Sequence, residues 1–311
     1  MSPQAPSPDD DGRDPAEPGA VQRYGVRSLR AMLGGVFERA SKARPARGVP
    51  CGVEHLDVLV GGFRLGRVTV LGASTSWGKS SFAVMATDVG LRAGARVLLV
   101  SGEDTEDLYG QRLMLRRADV NAIRLRDGNP TPDELTRMAL VAESAEDEPY
   151  FVNGIGKNVE YLAKVIAETV AEMSADLVIV DYIQAFSCAK RCQDRRNEVT
   201  HIFRTFADTI KASGASGLIL SQLRRLEENE VPTMHDLKES GDVENGAEHV
   251  LLGYRVTGKD GLRKRFCLVA KNKDGPVVDE PIEMSFNEVT ASFREQKIDR
   301  GPRHWQDDGG A

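Results

Sequence analysis

Apolar residues recur along this chain in two rhythms. Short unbroken apolar runs alternate, from about residue 48 to 294, with longer stretches whose apolar positions fall three or four residues apart. The first rhythm predicts strands buried on both faces and the second predicts amphipathic helices. VTVL at 68–71, ARVLLVS at 95–101, YFVN at 150–153, ADLVIVD at 175–181 and SGLILSQ at 216–222 read as strands. Lys79 to Arg92, about 105–117, about 131–145, Asn158 to Met173 and Glu198 to Ala212 read as helices. HVLLGYRV, KRFCLVA, PIEMSF and ASFRE follow as shorter strands with no helix between them. Strands separated by helices imply an α/β fold, a mostly parallel sheet with helices on both faces. The C-terminal strands are expected to extend that sheet antiparallel.

The flanks differ. Residues 1–22 are rich in Pro, Asp, Ser and Gly and cannot bury enough apolar surface to order themselves; the stretch 295–311 is similar. Between the first tail and the domain, Leu29, Met32, Leu33, Val36 and Phe37 mark a short helix with one apolar face. So short a helix is marginal alone and must dock, on its own domain or on a neighbouring subunit. The expected organisation is a disordered tail at 1–22, a linker helix and linker at 23–47, one domain at 48–294 and a second tail at 295–311.

Charge and composition narrow the field. The 311 residues carry a formal net charge of −6, so no global basic surface advertises nucleic acid or membrane. No apolar run is long enough for a membrane span, and the first residues lack a signal-peptide pattern, so a cytoplasmic protein is expected. Cys188 and Cys192 are separated by three residues; with no second pair and no nearby histidine in sequence, they make a poor zinc site and read as reduced thiols. The five histidines show no ligand spacing.

The candidate chemistry begins at LGASTSWGKSS. A phosphate loop wants glycine five residues before Gly78, where this chain has Ala73. The loop still lies directly after a strand and before a helix, the context that aims backbone N–H groups and a helix N-terminus at phosphate. Ala73, Ser74, Thr75, Ser76, Trp77, Gly78, Lys79, Ser80 and Ser81 are therefore the expected nucleotide cradle. Lys79 would reach the β/γ-phosphates, and Ser80 would hold Mg²⁺ of a bound Mg²⁺–ATP. Asp181 ends a buried strand and is the expected second Mg²⁺ position, at the carboxyl edge where ligands bind in such sheets. Glu103, in LLVSGED, is favoured over Asp104 as the base that orients an attacking water. Gln222, in LILSQL, is a neutral amide able to sense the γ-phosphate. Four such strand ends on one edge make a RecA-like P-loop ATPase core.

These pieces, in this order, resemble the C-terminal motor domain of DnaB-type replicative helicases, superfamily 4 ring motors. The resemblance runs from about Gly48 to Glu295 through LGASTSWGKSS, LLVSGED, VDYIQ, LSQLRR, DLKESGDVENGAEHVLLGYR and VAKNKDGP. The family's phosphate loop likewise opens with alanine. The resemblance implies an ATP-hydrolysing homo-oligomer, usually a hexameric ring, moving on single-stranded DNA in DNA replication. It implies DNA-phosphate contacts through the loop matching Lys238, Glu239, Ser240 and Gly241, and a linker helix docked on the neighbouring subunit. It assigns Lys271 and Lys273 to the segment that reaches into the next subunit's ATP site.

Two departures stand out. The family's N-terminal helical collar has no counterpart in residues 1–27, which leaves primase and loader contacts in doubt. Lys273 stands where the family places an arginine finger, and an ammonium cannot fork across two γ-phosphate oxygens as a guanidinium can. Slower hydrolysis is expected unless Lys271, Arg263 or Arg265 compensates. Two other readings remain open: a RecA-family DNA-dependent ATPase that does not unwind, akin to recombination mediators, and a slow nucleotide-gated assembly protein.

Overall fold

The computed structural model describes residues 48–145, 149–237 and 243–297. The expected linker helix, most of both tails and the loop Lys238, Glu239, Ser240 and Gly241 lie outside them.

Ten strands are described: β1 Val68–Ala73, β2 Val97–Ser101, β3 Tyr150–Asn153, β4 Leu177–Asp181, β5 Ser216–Gln222, β6 His249–Thr257, β7 Arg263–Asn272, β8 Ile282–Met284, β9 Phe286–Asn287 and β10 Ser292–Phe293. The helices are α1 Glu54–Val60, α2 Lys79–Arg92, α3 Glu106–Ala118, α4 Ala122–Arg126, α5 Pro132–Glu143, α6 Val159–Met173, α7 Arg195–Ala212 and α8 Val243–Gly246. Eight strands form one sheet in the order β3-β2-β4-β5-β1-β6-β7-β8. The expected α/β fold is what the chain adopts.

The two-sided burial follows from strand alternation. Leu71, Leu99, Ile179, Leu218 and Leu251 enter one apolar cluster with α1 and α2. Their neighbours Val70, Leu98, Val178, Ile219 and Val250 enter the other, against α6 and α7. β1 lies between β5 and β6, so the strand that leads into the phosphate loop is wholly buried.

The C-terminal strands only partly follow expectation. β7 and β8 are antiparallel, but β6 pairs parallel with β1, Thr69 beside His249 and Ala73 beside Gly253. The chain leaves β5 at one edge and returns to begin β6 at the other, so a long connection does the work of a crossover helix. β9 and β10 form a separate two-stranded sheet. The domain also reaches past residue 294. Gln296 N–H donates to Gly52 O at 3.0 Å, and its carbonyl accepts from Glu54 N–H at 2.8 Å.

Candidate nucleotide site

Helix α2 differs from every other described helix of eight residues or more. Thr105, Thr131, Asn158 and Asp194 cap α3, α5, α6 and α7 through their side chains, and each of those helices has an acidic residue in its first turn. α2 has neither. Its N-cap is Gly78, at φ 112°, a conformation that L side chains rarely adopt. The first-turn N–H groups and the positive end of the helix dipole are thus left for an outside anion.

The loop before α2 is held from beneath. Trp77 is fully buried, packs on Phe82 and Phe293, and donates its indole N–H to Phe266 O at 3.0 Å. A Cβ on Gly253 would stand 2.6 Å from the Trp77 ring, so β6 needs glycine there. Arg265 donates to Trp77 O at 3.0 Å while pairing with Glu288 and covering Phe286. Ser74 N–H donates to Gly253 O at 3.0 Å. The Ser81 hydroxyl is turned to Ala291 O, and Ala73 lies buried in β1. Ser74, Thr75, Ser76, Gly78, Lys79 and Ser80 remain to form the cradle's rim. The Trp77 side chain is an anchor facing the core.

The strand ends gather as expected. Gln222 sits beside Ala73 in the sheet, and its side-chain amide donates to Thr75 Oγ1 at 3.2 Å. Ser101 at the end of β2 pairs with Asp181 at the end of β4, and its hydroxyl accepts from the N–H groups of Glu103 and Asp104. Asp104 is taken by Arg112 at 3.1 Å. The Glu103 carboxylate acts on Lys79 and Tyr182.

Asp181 is the centre of the arrangement. It is 2% exposed; Oδ2 accepts the Tyr109 hydroxyl proton, while Oδ1 is buried without a hydrogen-bond partner. Burial pushes its pKa up, against the opposing pull of Tyr109, Ser80 and Lys79. Burial also lowers Lys79, with Asp181 and Glu103 pulling it back. Lys79 Nζ lies 5.4 Å from the centre of the Tyr182 ring. An orphaned carboxylate oxygen beside a serine hydroxyl suits a hard cation that prefers oxygen ligands. Ser80 and Asp181 therefore fit Mg²⁺.

Lys271 and Lys273 are elsewhere. β7 runs against β6, so its end at Asn272 lies beside His249, at the sheet edge opposite the phosphate loop. Lys273 is 3.6 Å from Glu248 Oε1, and its side chain is 44% exposed. Arg263 instead lies near the loop and lines a cleft of about 510 Å³ with Ser74, Thr75, Arg225 and Arg255. Tyr109, Gln184 and Tyr182 were given no role from the sequence motifs, and Arg265, named there as a substitute for the finger, instead holds Trp77 O and Glu288. Tyr109 and Arg265 are ordinary helix and strand positions in sequence. Gln184 is legible only as the glutamine of VDYIQ; it donates to Ser221 Oγ at 3.0 Å and accepts from Gln222 N–H at 3.1 Å. Tyr182 follows Asp181 across a cis peptide bond.

Over 240 residues the chain is 26% identical to the replicative DNA helicase DnaB of Geobacillus stearothermophilus, covering 74% of this chain and 53% of that protein. The chain spans about half the length of the curated relatives it matches. A solved DnaB-like replicative helicase, described with its interactions with primase, has TM-score 0.75 at 23% identity, covering 87% of this chain and 67% of that one. A second solved structure, described as an ATPase domain, has TM-score 0.76 at 23% identity, over 90% of this chain and 100% of that one. These two likenesses speak to the fold. The family described as DnaB-like helicase C terminal domain matches residues 48–295, and the chain belongs to it.

Proposed function

We propose that this chain is an ATP-hydrolysing, ring-forming motor that translocates on single-stranded DNA, separates duplex and serves DNA replication. One observation carries the reading. The uncapped start of α2 and the ends of β2, β4 and β5 bring Lys79, Glu103, Asp181 and Gln222 to one sheet edge, with Asp181 Oδ1 buried and unpartnered. Family membership and the likeness to replicative helicases support it.

In this reading the N–H groups of Ser74, Thr75, Ser76 and Gly78 and the first turn of α2 hold the phosphates of ATP. Lys79 neutralises the β/γ oxygens. Ser80 and Asp181 hold Mg²⁺, which when bound neutralises charge on the transferring phosphoryl group. Glu103 orients and deprotonates the attacking water; Asp104 is already committed to Arg112. Gln222 links the γ-phosphate to the rest of the sheet, because its amide spans to Thr75 and its backbone to Gln184. Lys271 and Lys273 lie at the wrong edge for their own phosphate loop, so they would act on the ATP of a neighbouring copy in the ring. The segment 238–241 would face DNA phosphates, where contacts confer affinity without sequence preference.

ATP hydrolysis with and without single-stranded DNA tests the proposal, with Lys79→Ala as the control. Strong stimulation that vanishes in the variant is the expected result, followed by strand displacement. Slow turnover indifferent to DNA would overturn the motor reading and leave a nucleotide-gated assembly.

A further inference from the structure

The loop between β4 and α7 carries Cys188 and Cys192, which read in sequence as an isolated pair. Tertiary structure surrounds them with other donors. Glu160, in the first turn of α6, and His201, on α7, lie beside the loop and meet each other there. His201 Nε2 lies 3.0 Å from Glu160 Oε1. The candidate ligand atoms of Glu160, Cys188 and His201 all lie within 4.8 Å of one another. Cys192 Sγ is 3.6 Å from Cys188 Sγ. Two thiolates on a tetrahedral zinc, at a Zn–S distance of about 2.3 Å, stand roughly 3.8 Å apart.

We propose that Cys188, Cys192, His201 and Glu160 form a site for one thiolate-preferring divalent cation, Zn²⁺ by the chemistry of its donors. Two sulfurs, one imidazole nitrogen and one carboxylate oxygen are all ligands that zinc accepts, and four complete a closed structural site. Cys192 Sγ, 3.6 Å from Cys188 Sγ, supplies the fourth donor from the same largely exposed loop.

The surroundings are prepared for this. Both thiols turn toward Lys190 O, at 3.1 and 3.6 Å, which bunches them on one side of the loop. The second oxygen of Glu160 accepts from Ala189 N–H at 2.9 Å, fixing the carboxylate beside the Cys188 backbone. Val159 N–H donates to Ser187 O at 2.9 Å, so α6 and the loop are already tied at that point.

The site would clip the loop to two helices. At its other end the same loop bears Gln184, which bonds Ser221 and Gln222, and whose carbonyl accepts from Arg195 at 2.6 Å. A cation here stiffens the segment that links the Asp181 strand end to α7. It takes no part in hydrolysis.

The test is Co²⁺ titration of the reduced, metal-free full chain. The expected result is about one equivalent bound, a near-ultraviolet thiolate-to-cobalt charge-transfer band, and displacement by Zn²⁺. Oxygen ligands at Asp181 produce no such band, so Lys79→Ala retains it. Cys188→Ser and Cys192→Ser each remove or cripple it, and His201→Ala and Glu160→Gln weaken binding by about 10–100-fold. Zn²⁺ should also raise the Tm of the wild type and not of Cys188→Ser. Absence of the band in the reduced wild type overturns the proposal, whether or not the cysteines can be oxidised to a disulfide. So does a band that survives loss of both cysteines.

Discussion

The two edges of the central sheet carry similar residue types in opposite states. At the carboxyl ends of β1, β2, β4 and β5, the buried Asp181 carboxylate keeps one oxygen without a hydrogen-bond partner; burial holds Asp181 above its ordinary range and the half-buried Lys79 below its own. At the other edge, Glu248 is also buried but accepts from Val68 N–H at 3.0 Å and from Lys211 at 3.0 Å, with Lys273 at 3.6 Å. Burial alone would raise Glu248; those partners outweigh it and lower its pKa. Asp274 there pairs with Arg64 and Arg67. One edge is built to be completed by a ligand, while the other largely completes itself. Incomplete partnering costs stability and is tolerated where it prepares chemistry.

The comparison breaks most visibly in rate. Glu103→Gln should lower ATP turnover about 10²–10⁴-fold while nucleotide still binds, as measured by steady-state hydrolysis beside nucleotide titration. Unchanged turnover would pass the role to another acid. Trp77→Ala tests whether the ligand edge rests on the core. Emptying that site should cost about 3–5 kcal/mol by denaturant unfolding, and nucleotide affinity should fall with it.

The sharpest contrast is one substitution made at each edge. Glu248 has a depressed pKa, so its carboxylate stabilises the fold above the unfolded-state value, and that stability is lost as pH falls through the folded value. Glu248→Gln should therefore destabilise by about 1–3 kcal/mol at neutral pH and much less at acid pH. Asp181 has a raised pKa, so its ionisation costs stability as pH rises through the folded value. Asp181→Asn should stabilise the nucleotide-free chain by about 1 kcal/mol at neutral pH, with the gain shrinking toward acid, while abolishing hydrolysis. Thermal melts of both variants across pH check the signs; like signs would erase the distinction between the edges.

The smallest expected effect is at Lys273. If its ammonium serves a neighbouring copy's ATP, Lys273→Arg should speed turnover by about tenfold, ~1.4 kcal/mol in barrier. That lies well short of the ~10³–10⁵-fold that a whole arginine finger supplies. Unchanged turnover would remove Lys273 from the reaction and leave it as the partner of Glu248.

Much of this molecule was legible from sequence for a physical reason. A buried strand followed by a phosphate loop and a helix is contiguous, and its chemistry is mostly backbone, so LGASTSWGKSS states its own geometry. Asp181 and Gln222 were legible because a polar residue ending an apolar strand must emerge at the strand's edge, and Glu103 because it follows such a strand by two residues. Periodicity also placed α2 from Lys79 to Arg92, β5 at 216–222 and the alternation that buries both sheet faces. What tertiary structure alone decided joins residues far apart. Tyr109 meets Asp181 across 72 positions, Arg265 holds the Trp77 carbonyl across 188, and Glu160 meets His201 across 41. No local period encodes such pairs. The parallel direction of β6 is of the same kind: a connection with few apolar residues does not announce that it crosses the sheet. Cys188 and Cys192 looked partnerless because their neighbours along the chain are not ligands. Two helices, packed by their apolar faces for unrelated reasons, supply the rest.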